Sequence, residues 1–404
     1  MTTNPLSGRA GTSRRRVLGA ALAAGVALPI GLARPAWADP AAPGPVRLKL
    51  PRPTGPYPVG TTELHLVDRA RPDPVAGPGH FRELMTSVWY PARNVGRHPL
   101  APWMLPAPLR ALLASGDFAE DAALAPVTAG HLSAPVRPTI GRWPVIMFSH
   151  GAHDHRSDTT IVVQELASHG YVVVTVDHTY DAISEFPDGR LTVPLFDLPL
   201  YPGDFARDVR FVLDRIEDLA AGRNPDAEHR PLPAGLGAAL DLHRVGMFGW
   251  SKGATATALV MGADPRVRAG LSFDGPMESD PPDPPVPAEL DRPFMLITAV
   301  FTRAADPNVA EFWSHLTGWR LNVQAEGAVH SSYCDLPWLL PQLAKAIGMS
   351  DEELQGWIGT LDPSRAVRIQ QAYPLAFFDQ HLRGRRGHLL DGPSRAFPEV
   401  KFIA

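Results

Sequence analysis

The segment VGMFGWSKGATATALVMG carries the strongest chemical signal in the chain. Gly249-x-Ser251-x-Gly253 follows an apolar run at 245–249 and precedes a helical run to Met261, with Gly262 as its expected end. A serine between strand and helix sits in a tight, strained turn that lifts its hydroxyl above a sheet. Side chains at positions 249 and 253 would collide with neighbouring backbone, so both must be glycine. Trp250 completes the turn, and the N–H of Lys252, at the helix start, points where an oxyanion would develop. A Ser251–Lys252 dyad is disfavoured, because adjacent residues on such an elbow point apart. Serine needs a base, and the base needs an acid to orient it. The next strand-like run, RAGLSFDGPM, delivers Asp274 to the same rim. Asp-Gly is also a common turn pair, but the strand-end position favours the acid role. His330, in GAVHSSYCDLPWLLPQL, lies in a loop after the last strand, where an imidazole can reach the serine. His178, in VDHTYD, is its rival at another strand end, but it precedes the serine in the chain.

The second stretch is FSHGAHDH, with His150, His153, Asp154 and His155 in six residues. A metal site needs three or four ligands converging at defined spacing. Here two histidines stand at i, i+2 on a loop, no distant ligand group is evident, and the HxHxDH pattern of metallo-hydrolases is absent. The alternative is an oxyanion loop. Gly151 permits close backbone approach, the N–H of Ala152 is the donor, and His150 braces the loop. We adopt that reading, with no metal and no cofactor.

These residues need a scaffold. Strand-like runs recur at 62–68, 84–90, 145–149, 172–177, 245–249, 269–273, 294–300 and 321–324. PVIMF, YVVVTV and FMLITAV are continuously apolar, as parallel strands buried on both faces must be. Helical patterns alternate with them: one capped by Asp158 through Leu166, one over 206–219 that stops near Gly222, and one opened by Asp306-Pro307. The alternation predicts an α/β fold built on a mostly parallel eight-stranded sheet with helices on both faces. Residues 100–140 interrupt the rhythm as a lid-like insertion or a surface decoration, and 39–60 read as an extended wrapping arm.

Residues 1–38 stand apart. Arg14-Arg15-Arg16 precede a short apolar run, and Ala36-Trp37-Ala38 fits a small-x-small cleavage site. Ser13-Arg14-Arg15 with Val17-Leu18 resembles a twin-arginine export signal. Removing this segment, which carries five arginines and no acid, takes the net charge from −4 to −9. An acidic chain disfavours a nucleic-acid partner. A single cysteine, Cys334, excludes an intrachain disulfide and suits a protein folded before export. The expectation is an exported catalytic domain over 39–404.

The sequence resembles the secreted bacterial branch of the platelet-activating factor acetylhydrolase-like serine esterases, of the α/β-hydrolase superfamily. PTGPYPVGTTELHLVD, VWYPA, FSHG, ELASHGYVVVTVDHTYD, the elbow, SFDG, GAVHSSYCD and AFFDQHLRG carry the resemblance. It implies hydrolysis of carboxylic esters, often with short or oxidised acyl groups on a phospholipid, without calcium. The family's acid and histidine fall on Asp274 and His330. One departure stands out: the family elbow usually reads GHSFGG, this one GWSKGA, and actinobacterial polyester hydrolases have a related GWSMGG.

The expected activity is a serine esterase or lipase acting on a small-molecule or lipid ester, with transient contact to a lipid surface and no obligate protein partner. Acyl transfer, amide hydrolysis or polyester hydrolysis would use the same residues. A non-catalytic binding module on a hydrolase scaffold is the reading from another class. Lys252, one of only four lysines, needs its own reason: its stem packs locally, or its ammonium attracts an anionic group at the pocket rim.

Overall fold

Val145 and Met147 face one side of their strand, and Ile146 and Phe148 the other, yet all four are fully buried. Such a strand must lie inside a sheet covered on both faces. The computed structural model, which describes residues 44–279, 286 and 289–404, places it there. The expected export signal, 1–38, lies outside the described residues.

The main sheet contains β1 (Val59–Pro72), β2 (Phe81–Pro91), β3 (Leu100–Pro102), β4 (Val127–Leu132), β5 (Trp143–Ser149), β6 (Val172–Val176), β7 (Leu240–Trp250), β8 (Val267–Phe273), β9 (Phe294–Thr298), β10 (Arg320–Ala325) and β11 (Val400–Phe402). Their spatial order is β11-β10-β9-β8-β7-β5-β6-β2-β1-β4-β3. From β10 to β6 every neighbouring pair is parallel. Antiparallel β2 and β1 extend one side, and antiparallel β11 closes the other. All eight strand-like runs of the sequence lie in this sheet. Three short strands, β3, β4 and β11, bring it to eleven. Their three to six residues, two of them prolines or glycines in β3 and β4, give no periodic signal of their own.

The helices are α1 (Pro106–Ser115), α2 (Thr160–Ser168), α3 (Pro202–Ala220), α4 (Lys252–Ala263), α5 (Pro307–His315), α6 (Leu336–Ala344), α7 (Asp351–Ile358) and α8 (Pro363–Arg383). Val145, Met147, Val172 and Val174 pack with Phe205, Val209 and Val212 of α3, Val260 of α4 and Phe312 of α5. Ile146, Phe148 and Val173 pack on the opposite face with Val162 and Leu166 of α2 and Tyr373, Phe377 and Phe378 of α8. The alternation along each strand thus assigns the helices to two layers. Asp306 caps α5 as expected, accepting from the N–H groups of Asn308 and Val309. The start of α2 is a correction. It opens at Thr160, and the carboxylate that accepts from the N–H groups of Thr160 and Ile161, each at 3.0 Å, is Asp335 and not Asp158. No sequence window links residues 175 positions apart.

The 100–140 segment contributes β3 and β4 to the sheet edge. Its Trp103, Met104, Leu109 and Leu113 form a third core with Leu48, Ile183, Leu339 and Leu343. The arm is tied to it where Val46–Arg47 pairs with Ala123–Leu124.

Register sets the rim. Ser149 pairs with Gly249 and Val176, and Phe273 pairs with Trp250. The central strands therefore end level, and His150, Asp177, Ser251 and Asp274 follow on one edge.

Candidate active site

Ser251 leaves β7 with φ 55 and ψ −122 and caps α4. A non-glycine residue in this region stores strain. The turn is held by neighbours: the Ser251 N–H donates to the Phe273 carbonyl at 2.9 Å. The two glycines are obligatory for close approach. A Cβ at Gly249 would lie 2.1 Å from the Gly253 carbonyl oxygen, and one at Gly253 would lie 2.1 Å from that of Ser149. Both obstacles are backbone and cannot move aside.

Asp274, also at positive φ (45), is fully buried. Its Oδ1 accepts from the N–H groups of Ala299 (2.7 Å), Val300 (3.0 Å) and Phe301 (3.0 Å). Its Oδ2 meets His330 Nδ1 at 2.6 Å. His330 opens a single 3₁₀ turn, His330–Tyr333. Trp250, the neighbour of Ser251, donates its indole N–H to the His330 carbonyl at 3.0 Å and packs its ring against the imidazole, centroids 4.9 Å apart. Phe301 covers the imidazole edge-on at 5.3 Å. The serine, histidine and aspartate expected from sequence are thus brought to one place.

The FSHG loop sits against the same turn. A Cβ on Gly151 would lie 3.2 Å from Ser251 Cβ and 2.5 Å from the Trp250 ring. The backbone N–H of His178 donates to His150 Nε2 at 3.1 Å. An imidazole that accepts at Nε2 carries its proton on Nδ1 when neutral. That Nδ1–H donates to the Gly151 carbonyl at 2.6 Å. The Gly151 carbonyl and the Ala152 N–H belong to one peptide plane, so His150 sets the direction of the expected donor. Burial holds the His150 imidazole neutral, with a pKa pushed down to about 3. The other residues of the stretch diverge. His153 packs on Phe196 at 4.7 Å, and His155 lies 3.3 Å from Asp154 and edge-on to Trp103. Among the described residues no three His, Cys, Asp or Glu side chains are placed to hold a metal ion.

The Platelet-activating factor acetylhydrolase, isoform II family model matches residues 45–185 and 212–388, most of the chain. The chain belongs to this family. A probable 1-alkyl-2-acetylglycerophosphocholine esterase of Arthroderma benhamiae is 27% identical over 391 residues, 89% of this chain and 95% of that protein. A platelet-activating factor acetylhydrolase of Canis lupus familiaris is 22% identical over 84% of this chain and 78% of its own length. Among solved structures, a ferulic acid esterase from Streptomyces cinnamoneus aligns with TM-score 0.71 and 32% identity, covering 89% of this chain and 99% of that one. This acetylhydrolase-family member has the α/β-hydrolase fold and is a carboxylic ester hydrolase.

Two features escaped the sequence. The first is a sealed constellation of Ser149, His178 and Asp208. His178 Nε2 meets Ser149 Oγ at 2.9 Å, and Nδ1 meets Asp208 Oδ2 at 3.0 Å. All three are fully buried. Asp208 also pairs with Arg82 (2.6 Å) and Arg71 (2.8 Å). Burial raises the Asp208 carboxyl pKa, but the Arg82 charge and hydrogen bonds reverse this and hold it well below the usual range. The His178 pKa is lowered, chiefly by burial. The second concerns Lys252. Its ammonium donates to Asp181 Oδ2 at 2.6 Å and the Leu200 carbonyl at 2.8 Å, and lies 4.9 Å over the Phe205 ring. Those partners account for the charge within the fold, and a free cation at the rim is not what the elbow presents.

Proposed function

We propose that this esterase is an exported serine hydrolase working through an acyl-enzyme. Ser251 attacks the ester carbonyl. His330, which meets Asp274 through Nδ1, takes the serine proton on Nε2 and delivers it to the leaving alcohol. Asp274 fixes the tautomer and stabilises the imidazolium. The N–H groups of Ala152 and Lys252 receive the oxyanion; losing one such donor typically costs on the order of 10²–10³ in turnover. Water then repeats the attack on the acyl-enzyme, with His330 as base. The observation that carries this reading is the 2.6 Å His330–Asp274 contact on the rim where the Ser251 elbow emerges. The names of the relatives support either an acetyl ester of a glycerophospholipid or an ester whose acyl part is ferulic acid. The Gly-x-Ser-x-Gly elbow with tryptophan before the serine is compatible with either.

The test is a panel: p-nitrophenyl esters of graded length, an acetylated glycerophospholipid and a feruloyl ester, with wild type and Ser251→Ala. The reading expects short esters to turn over fastest, Ser251→Ala to be inactive on all, and activity to survive exhaustive EDTA treatment. Chelation that abolishes activity, restored by zinc, overturns it. Export is tested in a bacterial host with a twin-arginine pathway by Arg14→Lys/Arg15→Lys, which should leave the precursor inside the cell.

A further inference from the structure

The two expected oxyanion donors lie on segments 100 residues apart in sequence, and nothing covalent fixes their separation. Asp181, in the turn after β6, touches both segments. Its Oδ1 accepts from the backbone N–H of His153 at 2.7 Å, the residue after Ala152. Its Oδ2 accepts from the Lys252 ammonium at 2.6 Å. The Asp181 side chain is 3% exposed and that of Lys252 18%, so water competes little for either bond. His153 adopts φ 63, a left-handed conformation that a residue with a Cβ keeps only when its surroundings impose it. The Asp181 bond to its N–H is such a restraint. The turn carrying Asp181 is itself closed by the N–H groups of Asp181 and Ala182 on the His178 carbonyl, each at 2.8 Å.

We propose that Asp181 is a positioning residue that locks the N–H groups of Ala152 and Lys252 at a fixed separation before substrate arrives, with the Lys252 side chain as the other half of the clamp. His150 fixes the plane of the Gly151–Ala152 peptide from one side, and Asp181 anchors the next peptide from the other. Preorganised donors cost no reorganisation when charge develops. This explains a lysine at the elbow: any residue but proline supplies the backbone donor, and only a long cation reaches Asp181. The inference rests on the proposed oxyanion hole.

The experiment compares wild type, Asp181→Ala, Lys252→Met and the double variant on p-nitrophenyl acetate and its thiono analogue, whose sulfur accepts hydrogen bonds poorly. Fluorophosphonate labelling of Ser251 and thermal unfolding are measured on each. The clamp predicts kcat lower by about 10–100-fold in each single variant, a fraction of the loss for a deleted donor, with KM within about twofold. The oxo-to-thiono rate ratio falls in parallel. The double variant is no worse than the poorer single, because one interaction is removed once. If Asp181→Ala does not fold, Lys252→Met, which keeps stem and backbone donor, decides alone. Unchanged kcat, or lower kcat at an unchanged oxo-to-thiono ratio, overturns the clamp. Wild type that is not labelled at Ser251 overturns the catalytic reading instead, whatever the variants do.

Discussion

Two serine–histidine–aspartate sets lie within one layer of this molecule. In Ser149–His178–Asp208 the serine is the last residue of β5 and keeps its hydroxyl inside the sheet layer. The imidazole stacks on Phe205 at 3.7 Å, and the carboxylate is shared with two arginines. In Ser251–His330–Asp274 the serine lies one residue past β7, in a strained turn. It is half-buried, and its aspartate is held by three backbone N–H groups. Residue types are the same, and the histidine–aspartate contacts are 3.0 Å and 2.6 Å. The backbone differs: a regular strand seals one hydroxyl, and the elbow lifts the other onto the rim. The aspartates differ too. Asp208 is committed to guanidinium charges, so its capacity to stabilise an imidazolium at His178 is taken. Asp274 is held by three backbone N–H groups and meets the His330 imidazole.

Several substitutions separate the two sets. The largest effect is expected for Ser251→Ala and His330→Ala, which should lower kcat by on the order of 10⁶-fold, with Asp274→Asn at about 10⁴. Steady-state kinetics on a neutral short ester read this, and measurable turnover near wild type in His330→Ala would contradict the assignment. Next is Asp208→Asn, which leaves Arg82 and Arg71 facing a neutral amide and should cost about 3–5 kcal/mol of stability. Denaturant unfolding measures that loss, while kcat of the folded fraction stays within about tenfold. A dead but fully stable variant would make the sealed set catalytic. Ser149→Ala leaves His178 Nε2 without its partner, a cost of about 1–3 kcal/mol, again with activity retained.

The last effect is a slope in pH. His150 is folded with a pKa of about 3, below the unfolded value near 6.5. As pH falls below 6.5 the unfolded chain takes the proton first, so this residue subtracts stability between pH 6.5 and 3, at most about 1.4 kcal/mol per pH unit. His150→Asn keeps a donor for the Gly151 carbonyl and does not titrate. Its unfolding free energy should fall less steeply than wild type between pH 6 and 4. Parallel slopes would mean that the imidazole is not held neutral.

Much of this was legible in sequence, for identifiable reasons. Buried parallel strands announce themselves as apolar runs, and all eight lie in the sheet. The elbow is legible because its glycines answer a local steric demand. Asp274 and His330 could be placed because strand ends share a rim. What sequence could not supply is pairing across the fold. Asp181 meets Lys252 over 71 positions, Asp335 caps α2 over 175, and Asp208 meets His178 over 30. Each such aspartate looks like any loop or helix acid until its partner is known. Lys252 was open to two readings, and the partner that decides between them lies in another loop.

On the proposed mechanism one of the two hydroxyls is activated and the other only buried. A fluorophosphonate reacts with an activated serine alone, so intact mass and peptide mapping after labelling test it most directly. One adduct per chain is expected, on Ser251, retained in Ser149→Ala and absent from Ser251→Ala. An adduct on Ser149, or undiminished labelling of Ser251→Ala, would contradict it.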